Sequence, residues 1–334
     1  MPPLIASLMS LLPSNLFLRT MAWLGIIAPF TSFVALPTLA APAPAKIFFD
    51  TDMLTDCDDA GAMAVLHALA DRGECEILAT VTSVPDLNSL AVVDIINRYY
   101  GRPDLPLGMT KSHHLHEKSR YVSGLAKEFP HRAWTEAEVP DAIQIYRDVL
   151  EKQPDHSVVI VTVGYLTNIQ GLLQLPASEG HLSGAGLVKA KVQKWACMGG
   201  NFIGSPAKDD LKLGNVNFQR DAPSALYAVQ HWPAPLVFVG REIGSVPSGL
   251  IAGQSLTTTP ADNPVRRAYE LYFGGKAKSR HVADMVTVLY AVRGLRDYWD
   301  IQSNGFMDLH SDMTFEWKAD AGKNQSYLLK KRPG

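Results

Sequence analysis

The chain has 334 residues, of which 47% are hydrophobic and 19% charged, with a formal net charge of −2. That is ordinary globular composition, enough to bury a substantial core, and it excludes a basic field of the kind that attracts nucleic acid. The three cysteines, Cys57, Cys75 and Cys197, are too few and odd in number, so they define no disulfide framework.

Residues 1–40 read as a segment apart from the core. Arg19 precedes the apolar run Met21 to Leu36, and Thr38-Leu39-Ala40 offers a small-residue cleavage site. This pattern predicts a secretory signal peptide, with a catalytic domain over residues 41–334, a secreted or periplasmic location and no stable membrane association once the signal is removed.

The first predicted element of the domain is a strand at Ile47–Phe49, followed by a loop carrying Asp50, Asp52, Asp56, Asp58 and Asp59, and then by a helix over Ala60–Leu69. The acids therefore fall at the carboxyl end of a strand, where open α/β sheets bind ligands. One aspartate there is explained as a helix cap. Five are not, because like charges at this density repel unless a cation or shared protons compensate. An all-oxygen cluster suits a hard cation such as Ca²⁺ or Mg²⁺.

Further along, Glu76–Thr82 reads as a strand, Leu90–Tyr100 as a helix ended by Gly101, and Leu105–Gly108 as a short strand. Lys111–Pro130 shows no clear period and holds His113, His114 and His116, which makes it a candidate lid. Asp141–Leu150 is helical, and Val158–Val163 is an unbroken apolar run as expected of a strand buried on both faces. A helix over Leu166–Leu175, a strand over Lys194–Met198 and the glycine turn Met198-Gly199-Gly200-Asn201 follow. Helices are predicted at Asp221–Trp232, Asn263–Phe273 and Val282–Gly294, a strand at Leu236–Gly240, and a terminal hairpin from Thr314–Trp317 and Gln325–Lys330. The alternation predicts one α/β domain with an open, mostly parallel sheet flanked by helices.

Five segments in this order, DTD…DDA, VVIVTVGYLTNI, the MGG turn, NVNFQRDAPSA and the late Asp284 before VTVLYAV, resemble the nucleoside hydrolases, which cleave the N-glycosidic bond of ribonucleosides. The first segment is similar to a variant with two extra residues before the paired aspartates, which leaves Asp56 in the insertion. The resemblance implies that Asp52, Asp59, Asp284 and the backbone carbonyl of Val163 hold Ca²⁺. It also implies that Asp52 is the general base toward Ca²⁺-bound water, and that Asp58 and Asn217 bind the ribose of a small-molecule ribonucleoside. Asn215 stands where the family has a glutamate for the 5′-hydroxyl, with Asn201 a second candidate there. Asp86 and Asn88 are the options for a further ribose contact.

The residue before Asp284 is Ala283, where many family members have histidine. Arg120, Tyr121 and His281 are therefore the candidates for the leaving-group side. Two other readings compete: an exported ribose-binding protein without turnover, and a haloacid-dehalogenase-type phosphatase with Asp50 as nucleophile and Asp52 as its partner. No sequence feature fixes an oligomeric state, so a homo-oligomer is left open.

Overall fold

The computed structural model describes residues 43–112, 115, 117–202, 216–245 and 249–331. The predicted export segment, His113, His114, His116 and Asn215 lie outside the described residues. Among the described residues, no helix is long and apolar enough to cross a membrane.

Nine strands form one sheet in the order β10-β9-β11-β6-β5-β4-β1-β2-β3. They are β1 (Ala45–Thr51), β2 (Cys75–Thr82), β3 (Leu107–Met109), β4 (Val158–Thr162), β5 (Val192–Met198), β6 (Leu236–Val239), β9 (Trp299–Leu309), β10 (Phe315–Ala319) and β11 (Gln325–Lys330). The seven from β3 to β11 in that order pair in parallel, and only β9 with its two neighbours is antiparallel. A separate short ribbon joins β7 (Ile251–Ala252) to β8 (Arg280–His281).

β1 sits where the winding reverses, with β2 and β3 on one side and β4, β5 and β6 on the other. That switch point opens a crevice at the carboxyl ends of β1 and β4. The strand is buried on both faces: Ile47 and Phe49 join the core beneath one helical layer, and Phe48 the core beneath the other. Such strands lack polar alternation because neither face meets water.

The helices are α1 (Asp58–Asp71), α2 (Leu87–Tyr99), α3 (Val122–Glu128), α4 (Ala142–Glu151), α5 (Thr167–Gln174), α6 (Gly184–Lys191), α7 (Val216–Arg220), α8 (Ala222–His231), α9 (Arg241–Gly244), α10 (Pro264–Phe273) and α11 (Ala283–Arg293). Three expectations need correction. The candidate lid contains a helix, α3, whose Val122 and Leu125 are buried. α6 was not predicted, because Gly184, Ala185 and Gly186 blur its period. β10 and β11 do not pair with each other: β9 lies between them, and β11 instead extends the parallel sheet beside β6. All three cysteines are buried and unpaired.

Candidate active site

The acids converge where β1 ends. Its last residue pairs with Thr82 of β2, while Asp50 pairs with Thr162 of β4, so the chain leaves the sheet between two parallel neighbours. Met53 then adopts a left-handed φ of 42°. Its backbone N–H donates to Thr51 Oγ1 at 3.1 Å and to Asp59 Oδ1 at 3.3 Å, and the Thr51 hydroxyl donates to Asp59. These bonds fold the loop back over the start of α1. The β4 end approaches closely as well: a Cβ on Gly164 would lie 2.3 Å from the Asp52 backbone nitrogen, so only glycine fits there.

A second set of contacts ties the later segments to this loop. Asn217 of α7 donates to the Val163 carbonyl at 3.0 Å, Thr167 of α5 donates to Asp221 at 2.5 Å, and Ser224 of α8 donates to Gln170 at 2.6 Å. The Val282 N–H, donating to the Gly244 carbonyl at 2.7 Å, positions Asp284 in the first turn of α11. The result is a cavity of about 380 Å³ lined by Asp52, Asp56, Asp58, Asp59 and Asp284 on its acidic side, with Val163, Asn217, Arg220, Arg241, Tyr272 and His281 around it.

Asp56, Asp58, Asp59 and Asp284 bring one carboxylate oxygen each within 4.8 Å of all the others. Burial, followed by the charges of its neighbours, pushes Asp59 and Asp284 well above the usual carboxylate range. Asp52 is pushed up to about 7, first by burial and then by the Asp56 charge. Burial acts against ionisation of Asp58 too, but hydrogen bonds from Asp56 and His281 and the charge of Arg280 outweigh it and hold that carboxyl low. Arg280 Nη2 lies 3.0 Å from Asp56 and 3.5 Å from Asp58, while His281 Nδ1 lies 3.2 Å from Asp58. The Arg280 guanidinium also stacks on Tyr272, 4.9 Å from the ring centre.

A crowd of buried carboxylates that resist ionisation is the donor set a hard cation relieves. Asp58 Oδ1 is buried and makes no hydrogen bond, its nearest cation being Arg280 Nη2 at 3.5 Å, so it has capacity for a further partner. The residues present therefore suit a metal ion.

Asp52, Asp59, Asp284, Val163, Asp58, Asn217 and His281 all line the one cavity. Asp56, whose role the sequence left undefined, belongs to the closest carboxylate group, whereas Asp52 is not one of its four members. The Val163 carbonyl is already engaged by Asn217, leaving one lone pair for another partner.

Other expected residues are not among those lining the cavity. Tyr121 is fully buried, with its hydroxyl 3.4 Å from the Met53 sulfur, so it packs behind the acidic loop rather than against a substrate. Arg120 is exposed, with its guanidinium 5.5 Å from the ring centre of Tyr272, which does line the cavity. Asn201 is not among the cavity-lining residues. Asp86 caps α2 by accepting from the Ser89 N–H, and Asn88 is exposed on that helix.

Asp50 is not a nucleophile. It is 1% exposed and accepts from the Tyr146 hydroxyl at 2.9 Å and from Asn168 Nδ2 at 3.2 Å, beneath the site. The phosphatase reading loses its central residue. Arg280, Tyr272, Arg220, Arg241 and Asn168 escaped notice in the sequence. Of these, Asn168 and Arg220 sit within the quoted motifs, and spacing would have placed Arg220 one turn beyond Asn217.

Comparison with known proteins agrees with this fold. Solved structures with the same fold include a purine-preferring ribonucleoside hydrolase from Gardnerella vaginalis, at 17% identity and a TM-score of 0.60, covering 85% of this chain and 92% of that one. A plant nucleoside hydrolase aligns at 17% identity and 0.58, covering 86% and 87%. An inosine-uridine preferring nucleoside hydrolase from Bacillus anthracis aligns at 11% and 0.55, covering 87% and 95%. Comparison with curated protein sequences gives no match. The family model for inosine-uridine preferring nucleoside hydrolases matches residues 47–325, and the chain belongs to that family.

Proposed function

We propose that the acidic cavity hydrolyses the N-glycosidic bond of ribonucleosides with the help of Ca²⁺, releasing free base and ribose. The observation that carries this reading is the convergence of five carboxylates from the β1–α1 loop, α1 and α11 on one cavity. Asp59, Asp284, Asp52 and the Val163 carbonyl are the proposed ligands, with Asp56 close enough to join them. When bound, the ion offsets the carboxylate charge and polarises water and ribose hydroxyls.

Asp52 accepts the proton of the attacking water, a transfer that typically contributes roughly 10²–10⁴ in rate. Ionised Asp58 accepts a hydrogen bond from a ribose hydroxyl. Asn217, fixed by its donation to Val163, offers its Oδ1 to another. The carboxylates stabilise the positive charge that develops on the sugar as the bond to the base breaks. His281 and the face of Tyr272 receive the base, with Arg120 and Arg280 lending charge through that ring.

Export is part of the proposal: cleavage after Ala40 leaves residues 41–334 as the mature protein. A panel of nucleosides assayed for free reducing sugar tests the activity. Release of phosphate from phosphomonoesters, with no sugar released from any nucleoside, overturns it.

A further inference from the structure

Beside the acids of the β1–α1 loop, α1 and α11, two arginines line the cavity, Arg220 and Arg241. Arg220 lies on α7, one turn beyond Asn217, and Arg241 opens α9 directly after β6, with its backbone N–H bonded to the Gly200 carbonyl. In the sheet order β6-β5-β4-β1, three strand spacings separate the ends of β6 and β1, about 14 Å at the usual spacing. A ribose ring and the reach of an arginine side chain span that gap.

The cations are not consumed equally within the fold. Arg220 is held by Glu117 at 3.0 Å and lies 3.3 Å from the Tyr165 hydroxyl. Arg241 has no carboxylate partner among the described residues, and the neighbouring Glu242 is buried against Gly240. Arg241 is thus a cavity-lining guanidinium that is not spent on neutralising the acidic cluster. Ser245, one turn on, lines the cavity as well. A ribose bound through its hydroxyls at the acids has two remaining substituents, the base and the 5′-carbon. Tyr272 and His281 suit the base. The distance across the sheet then puts Arg241 on the side of the 5′-carbon, where a neutral hydroxymethyl group leaves that guanidinium without an anionic partner.

We propose that Arg241, assisted by Arg220 and Ser245, forms a subsite for a phosphate ester on the ribose 5′-carbon, so that the preferred substrates are 5′-phosphorylated ribosyl compounds. This rests on the hydrolase reading for the orientation of the ribose. Guanidinium groups bind phosphate through paired charge-assisted hydrogen bonds, and one such contact is worth about a ten- to hundredfold gain in affinity. A nucleoside 5′-monophosphate and a nucleotide sugar joined through a 5′-pyrophosphate share this chemistry and differ only in what extends beyond the phosphate.

The test measures calorimetric binding of ribose and ribose 5-phosphate to the full-length protein at constant ionic strength. Base release from inosine, inosine 5′-monophosphate and ADP-ribose is measured in parallel. The subsite predicts ribose 5-phosphate binding about tenfold or more tighter than ribose, with Arg241→Gln removing most of that ratio and Arg241→Lys restoring part of it. Turnover favouring the monophosphate over ADP-ribose identifies the simple ester as the ligand, and the reverse identifies the pyrophosphate. Equal binding of the two sugars, or a ratio untouched by Arg241→Gln, overturns the subsite. If no substrate releases base, the hydrolase reading falls while the binding ratio still decides whether the phosphate contact exists.

Discussion

Tyr146→Phe probes the buried carboxyl beneath the site. The substitution keeps the ring stacked on Phe48, at 3.8 Å between centres, and removes only the hydroxyl that donates to Asp50 at 2.9 Å. Burial pushes Asp50 up to about 8, and the Tyr146 hydroxyl works against that rise. A carboxyl whose folded pKa is raised contributes stability that is present at acid pH and lost as pH climbs through the folded value. In the protein without metal, the contribution of Asp50 is therefore lost between about pH 4 and pH 8. Removing the hydroxyl raises the Asp50 pKa further, so the variant loses more.

At pH 5.5 Asp50 is neutral in both proteins, and the deleted hydrogen bond costs about 1 kcal/mol. At pH 9 the wild-type Asp50 is ionised and the lost bond is charge-assisted, costing about 1.5–3 kcal/mol. Tyr146 itself remains a donor there, because burial holds its pKa well above the ordinary value. Urea unfolding in chelator at the two pH values measures the difference. A cost that is equal at both, or larger at pH 5.5, refutes the reasoning.

Gly164→Ala places a methyl group 2.3 Å from the Asp52 backbone nitrogen, and we expect it to displace Asp52 and abolish most turnover while the remainder of the sheet persists by circular dichroism. His281→Ala and Arg120→Ala should each slow hydrolysis of natural nucleosides more than that of a nitrophenyl riboside, whose leaving group needs little help. Equal losses on the two substrate types would remove both residues from leaving-group activation. Intact-mass analysis from the native host should give a chain beginning at Ala41, and a product retaining Met1 would contradict export.

Much of the fold was legible because its central strands are buried on both faces. Apolar runs such as Val158–Val163 announce themselves, and glycine turns and acidic loops mark where they end. The C-terminal strands were harder to read. β9 carries Ser303 and Gly305 at positions where an inward-facing residue is expected, so its alternation fades, and no local signal shows that it separates β10 from β11. The acids of the site were visible through their crowding. Arg280 was not, because it acts from a two-residue strand that forms only by pairing with β7, and lone arginines usually mark a solvated surface. Tyr121 misled because it stands just ahead of Ser123-Gly124-Leu125 in a segment expected to be a lid, whereas that segment packs α3 into the core.

The role of Asp52 and the metal is tested most directly by one titration: inosine hydrolysis followed after exhaustive chelation and on adding back Ca²⁺, for wild type and Asp52→Asn. Activity should vanish with chelator, return with Ca²⁺ in the wild type, and remain about 10²–10⁴-fold lower in the variant. Tb³⁺ or Ca²⁺ binding, read by the thermal shift that a ligand imposes on the folded state, shows whether the variant still folds and loads. Full activity in chelator, or an Asp52→Asn protein that turns over like the wild type, contradicts the mechanism.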